Sequence, residues 1–244
     1  MQAIRKTLTI FWKCWFYLLT GTLVILIGVC WVYPLSFSSK TFPLAYKGIR
    51  LWAILIFYGS GFQLSVERNK TLDKNRPYIF IANHTSILDI MVMAIIHPHH
   101  PVVFVGKEEL ARLPIFGRIY RRICIVVDRS DIRSRTHVYK LAKERINENE
   151  SLVIFPEGGI PPTETQLQKF KDGPFTIGIT AKTPIAVYSI KGLKTMFPEA
   201  FFKGRPGKVK VKLLDIIQTE NLSLDDKNTV KAHCFDIILT ELNS

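Results

Sequence analysis

Apolar and polar residues are arranged in two different ways along this chain of 244 residues. Near the amino terminus the apolar residues form one long run, and no charged residue lies between Lys13 and Lys40. The core of that run, residues 14–33, is long enough to cross a bilayer as a helix. Trp and Tyr side chains cluster near its two ends, where membrane proteins place interfacial anchors. The pattern predicts a membrane-associated helix, with a signal peptide or a buried core helix as the alternatives.

A second uncharged run covers residues 51–66 and is short for a complete span. It predicts a segment that either crosses the membrane or lies in its interface. Residues 34–48 contain prolines and a glycine and predict a connection between the two runs. Cationic residues flank both runs and suit the anionic headgroups of phospholipids. These residues are Arg5, Lys6, Lys13, Lys40, Lys47 and Arg50.

Beyond residue 62 the apolar residues occur in short runs, most of them separated by helix-length segments. We therefore predict the α/β class, with a mixed β-sheet covered by helices and N-terminal membrane-associated helices. The predicted domains are an N-terminal membrane-anchoring helical segment over residues 1–62 and an α/β domain over residues 63–244. The runs read as strands are 78–82, 102–105, 123–127, 151–155, 184–190 and 209–217, and those at helical spacing are 133–149 and 226–242.

The charge of the chain narrows the kind of partner. Its 33 Lys and Arg residues exceed its 20 Asp and Glu residues, which gives a formal net charge of +13. Such a charge implies an anionic partner: nucleic acid, an anionic membrane or a phosphorylated substrate. The cations are not interleaved with aromatic residues in the way of proteins that stack bases. We therefore expect a membrane or a phosphorylated ligand, and no nucleic acid.

Residues of the types that bind metals do not form a metal-binding pattern. The four cysteines lack metal-site spacing, so we predict free thiols in a reducing compartment. His97, His99 and His100 stand between Pro98 and Pro101, which predicts an extended surface loop rather than a metal site. No metal is expected.

The stretch IANHTSILDIM, residues 81–91, places a histidine and an aspartate where a strand gives way to a helix. If Thr85 or Ser86 caps that helix, His84 lies on the turn before it and Asp89 in its first turns. The carboxylate then reaches back toward the imidazole, fixes its tautomer and leaves the other ring nitrogen able to accept a proton. This is the arrangement of a general base. A capped helix with a partly buried histidine is the simpler alternative.

Three polar signatures each follow a predicted strand. In open α/β sheets, ligand sites gather beyond the carboxyl ends of the strands. The sequence therefore predicts a site at one edge of the sheet. The signatures are NHTSILD after residues 78–82, DRS after 123–127, and PEGG after 151–155.

With these signatures the chain resembles the 1-acylglycerol-3-phosphate acyltransferase family of glycerolipid acyltransferases. The resemblance covers roughly residues 76–190, and it depends on the order and spacing of four blocks. The blocks are NHTSILD at 83–89, GKEELARLPIFG to VDR at 106–129, FPEGG with FKDGPF at 155–175, and TPIAVYSI at 183–190. A glycerolipid acyltransferase-like fold is the fold that this resemblance implies.

The resemblance also implies roles for individual residues. In that family the His-x-x-x-x-Asp pair is catalytic, which would carry over onto His84 and Asp89. Cations after the first block are associated with the substrate phosphate, which would carry over onto Lys107 and Arg129. The FPEG glutamate, here Glu157, belongs to the same acceptor site, and Gly158 follows it there.

One position departs from the family pattern. Where the family usually reads FPEG-Thr-Arg, this chain reads FPEG-Gly-Ile, and Ile160 cannot bind a phosphate. Lys169 or Lys171, which follow on the same connection, are the candidates for supplying the missing cation. The departure leaves the reaction type unchanged and bears on the identity of the acceptor.

The resemblance implies a membrane-bound O-acyltransferase acting on the sn-2 hydroxyl of 1-acylglycerol 3-phosphate to give phosphatidic acid, and the apolar N-terminal run agrees with membrane attachment. The acyl donor is an acyl carrier protein or coenzyme A thioester, and no cofactor is expected. The predicted partners are the lysophospholipid acceptor, the thioester donor and a phospholipid membrane. The thioester donor implies a catalytic domain that faces the cytoplasm at the cytoplasmic membrane.

Two alternatives remain open. The same fold and mechanism would serve another lysolipid or glycerol 3-phosphate as acceptor, and the absent arginine favours this alternative. A non-catalytic, basic, membrane-tethered phospholipid-binding protein would also explain the charge and the anchor, but it leaves the ordered blocks unexplained.

Overall fold

A computed structural model describes residues 2–127, 132–162 and 164–244. Contacts between Cα atoms divide the chain into two compact units. The first consists of Met1–Val66, Thr85–Pro98 and Ile190–Val211, and the second of Glu67–His84, His99–Ser189 and Lys212–Ser244. Arg129, a predicted phosphate ligand, lies outside the described residues.

The strands and helices alternate over most of the chain, as the short apolar runs predict. The strands are β1 (Gln63–Arg68), β2 (Ile79–Ala82), β3 (Val102–Lys107), β4 (Cys124–Val127), β5 (Ser151–Ile154), β6 (Ile185–Lys191) and β7 (Lys208–Ile217). The α-helices are α1 (Gln2–Leu23), α2 (Tyr33–Leu35), α3 (Phe42–Gly59), α4 (Leu88–Ile96), α5 (Phe116–Ile123), α6 (Ile132–Asn147), α7 (Gly173–Thr180), α8 (Leu193–Met196) and α9 (Lys227–Asn243). Val24–Val32 is π-helical, and Glu108–Arg112 and Leu224–Asp226 are 3₁₀ turns.

The predicted N-terminal apolar helix is present in the first unit. Among the described residues, Ile4–Leu35 is the one helical run long and apolar enough to cross a membrane. Contiguous exposed apolar surface of this kind is unusual on a protein that meets only water. Its exposed large apolar side chains are Ile4, Leu8, Phe11, Trp15, Tyr17, Leu18, Ile25, Leu26, Val29 and Trp31.

Tryptophan side chains tie this helical run to α3. The indole N–H groups of Trp12 and Trp15 donate to the carbonyls of Ser60 and Gly59, at 2.8 and 2.9 Å. The last carbonyls of a helix have no partner within the helix, so the two indoles satisfy groups at the carboxyl end of α3. Trp31 donates to the Leu44 carbonyl at 3.2 Å, near the start of the same helix.

Three predictions for the N-terminal region are wrong in detail. Residues 42–48 belong to α3 rather than to a connection, because Pro43 lies in the first turn, where no N–H is needed. The apolar run 51–66 does not form one segment, since α3 ends at Gly59 and β1 begins at Gln63. Lys13 does not face headgroups: its side chain is buried and donates to the Pro198 carbonyl at 3.1 Å.

The strands form one sheet in the order β1-β7-β6-β2-β5-β3-β4. The strand β2 is parallel to β5 and to β6, while β3 is parallel to β4 and to β5. Strands buried on both faces read as continuous apolar runs, and every residue of β2 and of β5 is buried. The α/β prediction is confirmed, and all six predicted strands and both predicted helices are present within a few residues.

The histidine-rich loop after α4 departs from its prediction. His99 is exposed, but His97 and His100 are buried. His97 Nδ1 lies 2.8 Å from the Met93 carbonyl, and His100 Nε2 lies 2.9 Å from the Asp73 carbonyl. The surface-loop prediction is therefore wrong for these two side chains, because each ring finds a carbonyl partner inside the fold.

Candidate functional site

Three predicted site residues lie at or just beyond the carboxyl ends of adjacent parallel strands. His84 follows β2, Glu157 follows β5, and Lys107 is the last residue of β3. Neighbouring strands are about 4.8 Å apart, and β2, β5 and β3 are consecutive in the sheet. This edge of the second unit therefore brings together polar residues that are distant in sequence.

His84 is held by the strand next to its own. Its ring stacks on Phe155, with the ring centroids 4.1 Å apart and the planes 14° from parallel. Its backbone N–H donates to Glu157 Oε1 at 2.7 Å. The register explains both contacts: Ile81 pairs with Ile154, so His84 and Glu157 lie equally far beyond the paired position. The half-buried imidazole is thus fixed in plane as well as in place.

Glu157 is a buried carboxylate that binds backbone amides. It is 2% exposed, and its second oxygen, Oε2, accepts a hydrogen bond from the backbone N–H of Gln168 at 2.8 Å. Charge-assisted bonds of this kind are stronger than bonds between neutral groups. Glu157 therefore joins the turn that carries His84 to the loop that carries Gln168. Its predicted contact with an acceptor stays a prediction.

Asp89 organises the turn at the start of α4, within the first unit. The Asp89 Oδ2 atom accepts the amides of Thr85 and Ser86 at 2.6 and 2.8 Å. The prediction that Thr85 or Ser86 caps the helix holds in part for Ser86. Ile87 is the residue that directly precedes α4, but the Ser86 hydroxyl oxygen accepts the N–H of Leu88, the first helical residue, at 3.4 Å. Asp89, fully buried, reaches back from the first helical turn to the residues that follow His84.

Lys107 is exposed. A cavity of about 370 Å³, which the sequence did not reveal, lies in the segment that follows β3. Its lining combines cationic and apolar side chains, which suits an amphiphilic anion. Ile115, part of the lining, has a positive φ of 61°, an uncommon backbone conformation for a β-branched residue. The lining residues are Ala111, Arg112, Leu113, Pro114, Ile115, Arg118 and Arg121.

The FPEGG turn places its residues as follows. Gly158 adopts a φ of 82°, which favours glycine, and its N–H donates to the Phe155 carbonyl at 3.0 Å. Ile160 stands where the family pattern has an arginine. The two predicted substitutes for that cation, Lys169 and Lys171, are exposed.

Among the described residues no group of His, Cys, Asp and Glu is arranged to hold a metal ion. The described cysteines are all free, and Cys124 and Cys234 are buried. Burial raises the pKa of each of these two thiols to about 12. They therefore remain protonated thiols near neutral pH, which is not the state of a nucleophilic cysteine.

The sequence is similar to acyltransferases. A family profile described as Acyltransferase matches residues 63–191. A Caenorhabditis elegans protein, acl-2, provisionally named a 1-acyl-sn-glycerol-3-phosphate acyltransferase, is 35% identical over 167 residues, or 67% of this chain and 58% of that protein. The 1-acyl-sn-glycerol-3-phosphate acyltransferase of Saccharomyces cerevisiae is 30% identical over 168 residues, or 68% of this chain and 55% of that protein. The matched parts thus make up little more than half of these relatives.

The fold is similar to that of a solved acyltransferase. The crystal structure of the 1-acyl-sn-glycerophosphate (LPA) acyltransferase PlsC from Thermotoga maritima matches with a TM-score of 0.80. The match covers 100% of this chain and 97% of that chain, at 22% sequence identity. Identity this low establishes a shared fold.

Proposed function

This chain belongs to the acyltransferase family, and on that premise we propose that it is a 1-acylglycerol-3-phosphate O-acyltransferase. The proposed reaction moves a fatty acyl group from a thioester to the sn-2 hydroxyl of 1-acylglycerol 3-phosphate and gives phosphatidic acid. The observation that carries the proposal is the placement of His84. Its ring stacks on Phe155, and its backbone N–H donates a hydrogen bond to Glu157. Both contacts lie at the carboxyl edge of the sheet, where ligand sites form in α/β proteins.

His84 is the proposed general base. Its neutral imidazole takes the proton of the acceptor hydroxyl as the oxygen attacks the thioester carbonyl carbon. The new C–O bond forms, the C–S bond breaks, and the proton passes from His84 to the departing sulfur. The chain contains no G-x-S-x-G motif, and direct attack by the acceptor hydroxyl needs no covalent enzyme intermediate.

Asp89 is the proposed orienting group for His84. Its carboxylate is fixed by the Thr85 and Ser86 amides, which come directly after the histidine in the chain. A carboxylate on one ring nitrogen selects the tautomer that leaves the other nitrogen able to accept a proton. We therefore assign Asp89 the role of setting the tautomer rather than of exchanging a proton with the substrate.

Lys107 is the proposed phosphate ligand, with Arg129 as its partner and Glu157 and Gly158 shaping the same acceptor site. The arginines lining the cavity in the segment after β3 supply further positive charge, which supports an anionic acceptor. Apolar side chains in the same lining suit the acyl chain of a lysophospholipid. The acceptor site thus combines a cationic and an apolar part.

The proposed setting is the cytoplasmic face of the cytoplasmic membrane. The apolar run Ile4–Leu35 supports membrane attachment, which keeps the catalyst in the layer that holds its acceptor. The proposed donor is an acyl carrier protein or coenzyme A thioester. Both donors are anionic and suit a chain of net charge +13.

The test is transfer of a labelled acyl group to lysophosphatidate by membranes that contain the wild type or His84→Ala. Acyl carrier protein and coenzyme A thioesters are supplied in separate reactions. Product from the wild type and its loss in a folded, membrane-bound His84→Ala variant would support the reaction and the base together. Equal transfer by both proteins would refute the assignment of His84 as the general base. Absence of transfer to any lysolipid would refute the proposal that the protein is an acyltransferase of lysolipids.

The alternative proposal is a different acceptor, and the residue at position 160 favours it. Ile160 removes a cation that the family pattern places beside the FPEG glutamate. Without that cation, another lysolipid or glycerol 3-phosphate becomes a candidate acceptor for the same fold and mechanism. Rates with lysophosphatidate, glycerol 3-phosphate and a lysolipid lacking a phosphomonoester distinguish these acceptors.

Lys169 and Lys171 test whether the missing charge is supplied from elsewhere. If one of these lysines binds the phosphate, its replacement by alanine should raise the KM for lysophosphatidate. The KM for an acceptor without a phosphate should then be unchanged in the same variant. An unchanged KM for lysophosphatidate in Lys171→Ala would remove Lys171 from the acceptor site, and the same holds for Lys169.

A further inference from the structure

Lys13 is a buried cation in the middle of α1. Its side chain is 1% exposed, and no described carboxylate forms an ion pair with it. The ammonium group instead lies 3.6 Å from the ring centroid of Phe197 and donates to the Pro198 carbonyl at 3.1 Å. Burial of an ammonium group is unfavourable unless specific partners replace its water. Lys13 therefore fixes the segment Phe197–Pro198 to the N-terminal helix.

Aromatic packing holds the same segment from other sides. The Phe197 ring packs against Phe16 at 4.5 Å, Trp12 at 5.5 Å and Phe62 at 6.2 Å between ring centroids. Edge-to-face and tilted arrangements of this kind are favourable beyond the area that they bury. Phe197 is 3% exposed. The position of its backbone is thus determined by side chains of the N-terminal region.

The carbonyl of Phe197 is the next link. It accepts a hydrogen bond from the Ser86 hydroxyl at 2.9 Å, and Ser86 is 1% exposed. The Ser86 amide donates in turn to Asp89 Oδ2 at 2.8 Å. One residue therefore connects Phe197 to the carboxylate that organises the turn Thr85–Asp89. All of these groups belong to the first compact unit.

We propose that Lys13 is a positioning residue for the acyl transfer reaction, acting through Phe197 and Ser86 on Asp89. The N-terminal helix then does more than attach the protein to a membrane, since it also sets the geometry of the turn that follows His84. The proposal rests on the proposed function, because that function assigns Asp89 its role. Displacement of a positioning group by about 1 Å is enough to cost up to 100-fold in rate.

The first test is kinetic and compares Lys13→Met with Lys6→Met. Lys6 is the matched control, because it lies on the same helix, carries the same charge and has its ammonium 4.9 Å from the Phe202 ring, but is exposed. Lys13→Met should lower kcat by roughly tenfold or more with little change in the KM for lysophosphatidate. Lys6→Met should keep kcat, and Lys13→Arg, which restores a cation for the aromatic ring, should recover part of it.

The second test uses a double-mutant cycle with Ser86→Ala. Residues that act through one connection give non-additive effects. The double variant Lys13→Met/Ser86→Ala should therefore lose little more kcat than the more damaging single variant. Independent, multiplying losses would overturn the proposal, as would a normal kcat in Lys13→Met.

The third test needs no activity and separates this inference from the proposed function. Hydrogen exchange is measured for the peptide that covers Thr85–Asp89 in the full-length wild type, Lys13→Met and Lys6→Met proteins. Faster exchange in Lys13→Met alone, with unchanged exchange in β5, would support the connection. Unchanged exchange in Thr85–Asp89 would overturn it even if the wild type transfers acyl groups. A wild type without transfer to any lysolipid, but with the expected exchange, would refute the proposed function and leave the connection standing.

Discussion

Two buried glutamates lie at opposite ends of β5, and their surroundings differ. Glu157, after the carboxyl end, binds the His84 and Gln168 amides with its two oxygens. Glu150, before the amino end, binds one guanidinium nitrogen of Arg145 through Oε2 at 3.1 Å, while Oε1 has no hydrogen-bond partner among the described residues. Burial raises the pKa of Glu150 to about 7 despite the nearby Arg145.

One carboxyl group thus holds backbone amides, and the other holds a side chain. At the carboxyl end the carboxylate fixes the backbone of neighbouring turns, so a change there moves a candidate catalytic side chain. At the amino end the carboxyl group contacts the Arg145 side chain, so we expect a change there to alter protonation and stability rather than acyl transfer. Substitutions at the two ends should therefore have different consequences for acyl transfer.

The largest effect is expected for His84→Ala at the carboxyl end. Loss of a general base should lower kcat by roughly 10²–10⁴-fold. The measurement is steady-state acyl transfer to lysophosphatidate, with His137→Ala as the control because that histidine is exposed on α6. A His84→Ala variant that keeps more than half of the wild-type kcat would contradict the assignment.

Glu157→Gln should have the next largest effect. An amide offers one oxygen in place of two, so a buried N–H of His84 or Gln168 loses its partner. Such a loss costs about 1–3 kcal/mol of the free energy of unfolding, and it should lower kcat because the His84 backbone is no longer held. Denaturant unfolding and acyl transfer are measured on the same preparation. The matched change Glu150→Gln should leave kcat unaltered. Equal losses of kcat in both variants would contradict the expectation that the two ends of β5 differ in their effect on acyl transfer.

Lys107→Ala should have a smaller and more selective effect. Removal of one charge-assisted bond to phosphate, worth about 1.5–3 kcal/mol, should raise the KM for lysophosphatidate roughly tenfold or more. The KM for an acceptor without a phosphate should stay the same. Lys140→Ala, which removes an exposed cation from α6, is the control. A uniform rise in KM for both acceptors would indicate that Lys107 does not contact the phosphate.

The smallest effect on activity is expected from Glu150→Gln, whose consequence is for stability and its pH dependence. In the folded protein the pKa of Glu150 is about 7, above its ordinary value of 4.5, so the folded state retains the proton longer than the unfolded state. The stability associated with that proton is complete below about pH 4.5 and is lost as pH rises to about 7. Glu150→Gln should remove this dependence, so the variant gains stability relative to the wild type across that interval.

Unfolding titrations between about pH 3.5 and pH 8, roughly one unit either side of the interval, measure this dependence. Glu144→Gln serves as the control, since Glu144 is exposed on α6. A difference in stability between Glu150→Gln and the wild type that does not change with pH would contradict the raised pKa.

The strands of the sheet were predictable because parallel strands buried on both faces are continuous apolar runs. The residues 78–82 and 151–155 illustrate this, since β2 and β5 begin and end within one residue of the predictions. Pro43 was predicted to lie in a connection because proline interrupts helices and strands, but proline is also common in the first turn of a helix. The sequence could not show that the Asp89 carboxylate accepts the backbone N–H groups of Thr85 and Ser86.

Some features of the site were not predictable from any local pattern. From the sequence, Lys13 was predicted to face lipid headgroups. Its burial depends on Phe197, which is 184 residues further along the chain. The cavity between Ala111 and Arg121 arises from the way a 3₁₀ turn leads into α5. Glu157 was identified through a motif, but its contact with the His84 amide depends on the register of two strands.

The α/β alternation, the apolar N-terminal helix and the order of the polar blocks can be read from the chain, because periodicity and motif spacing are local properties. Which groups meet depends instead on the tertiary structure. The His84 amide and the Glu157 carboxylate are 73 residues apart, and the Ser86 hydroxyl and the Phe197 carbonyl are 111 apart. Such pairs form because sheet register and packing bring distant backbone together, and a buried polar group is stable only where that packing supplies its partner.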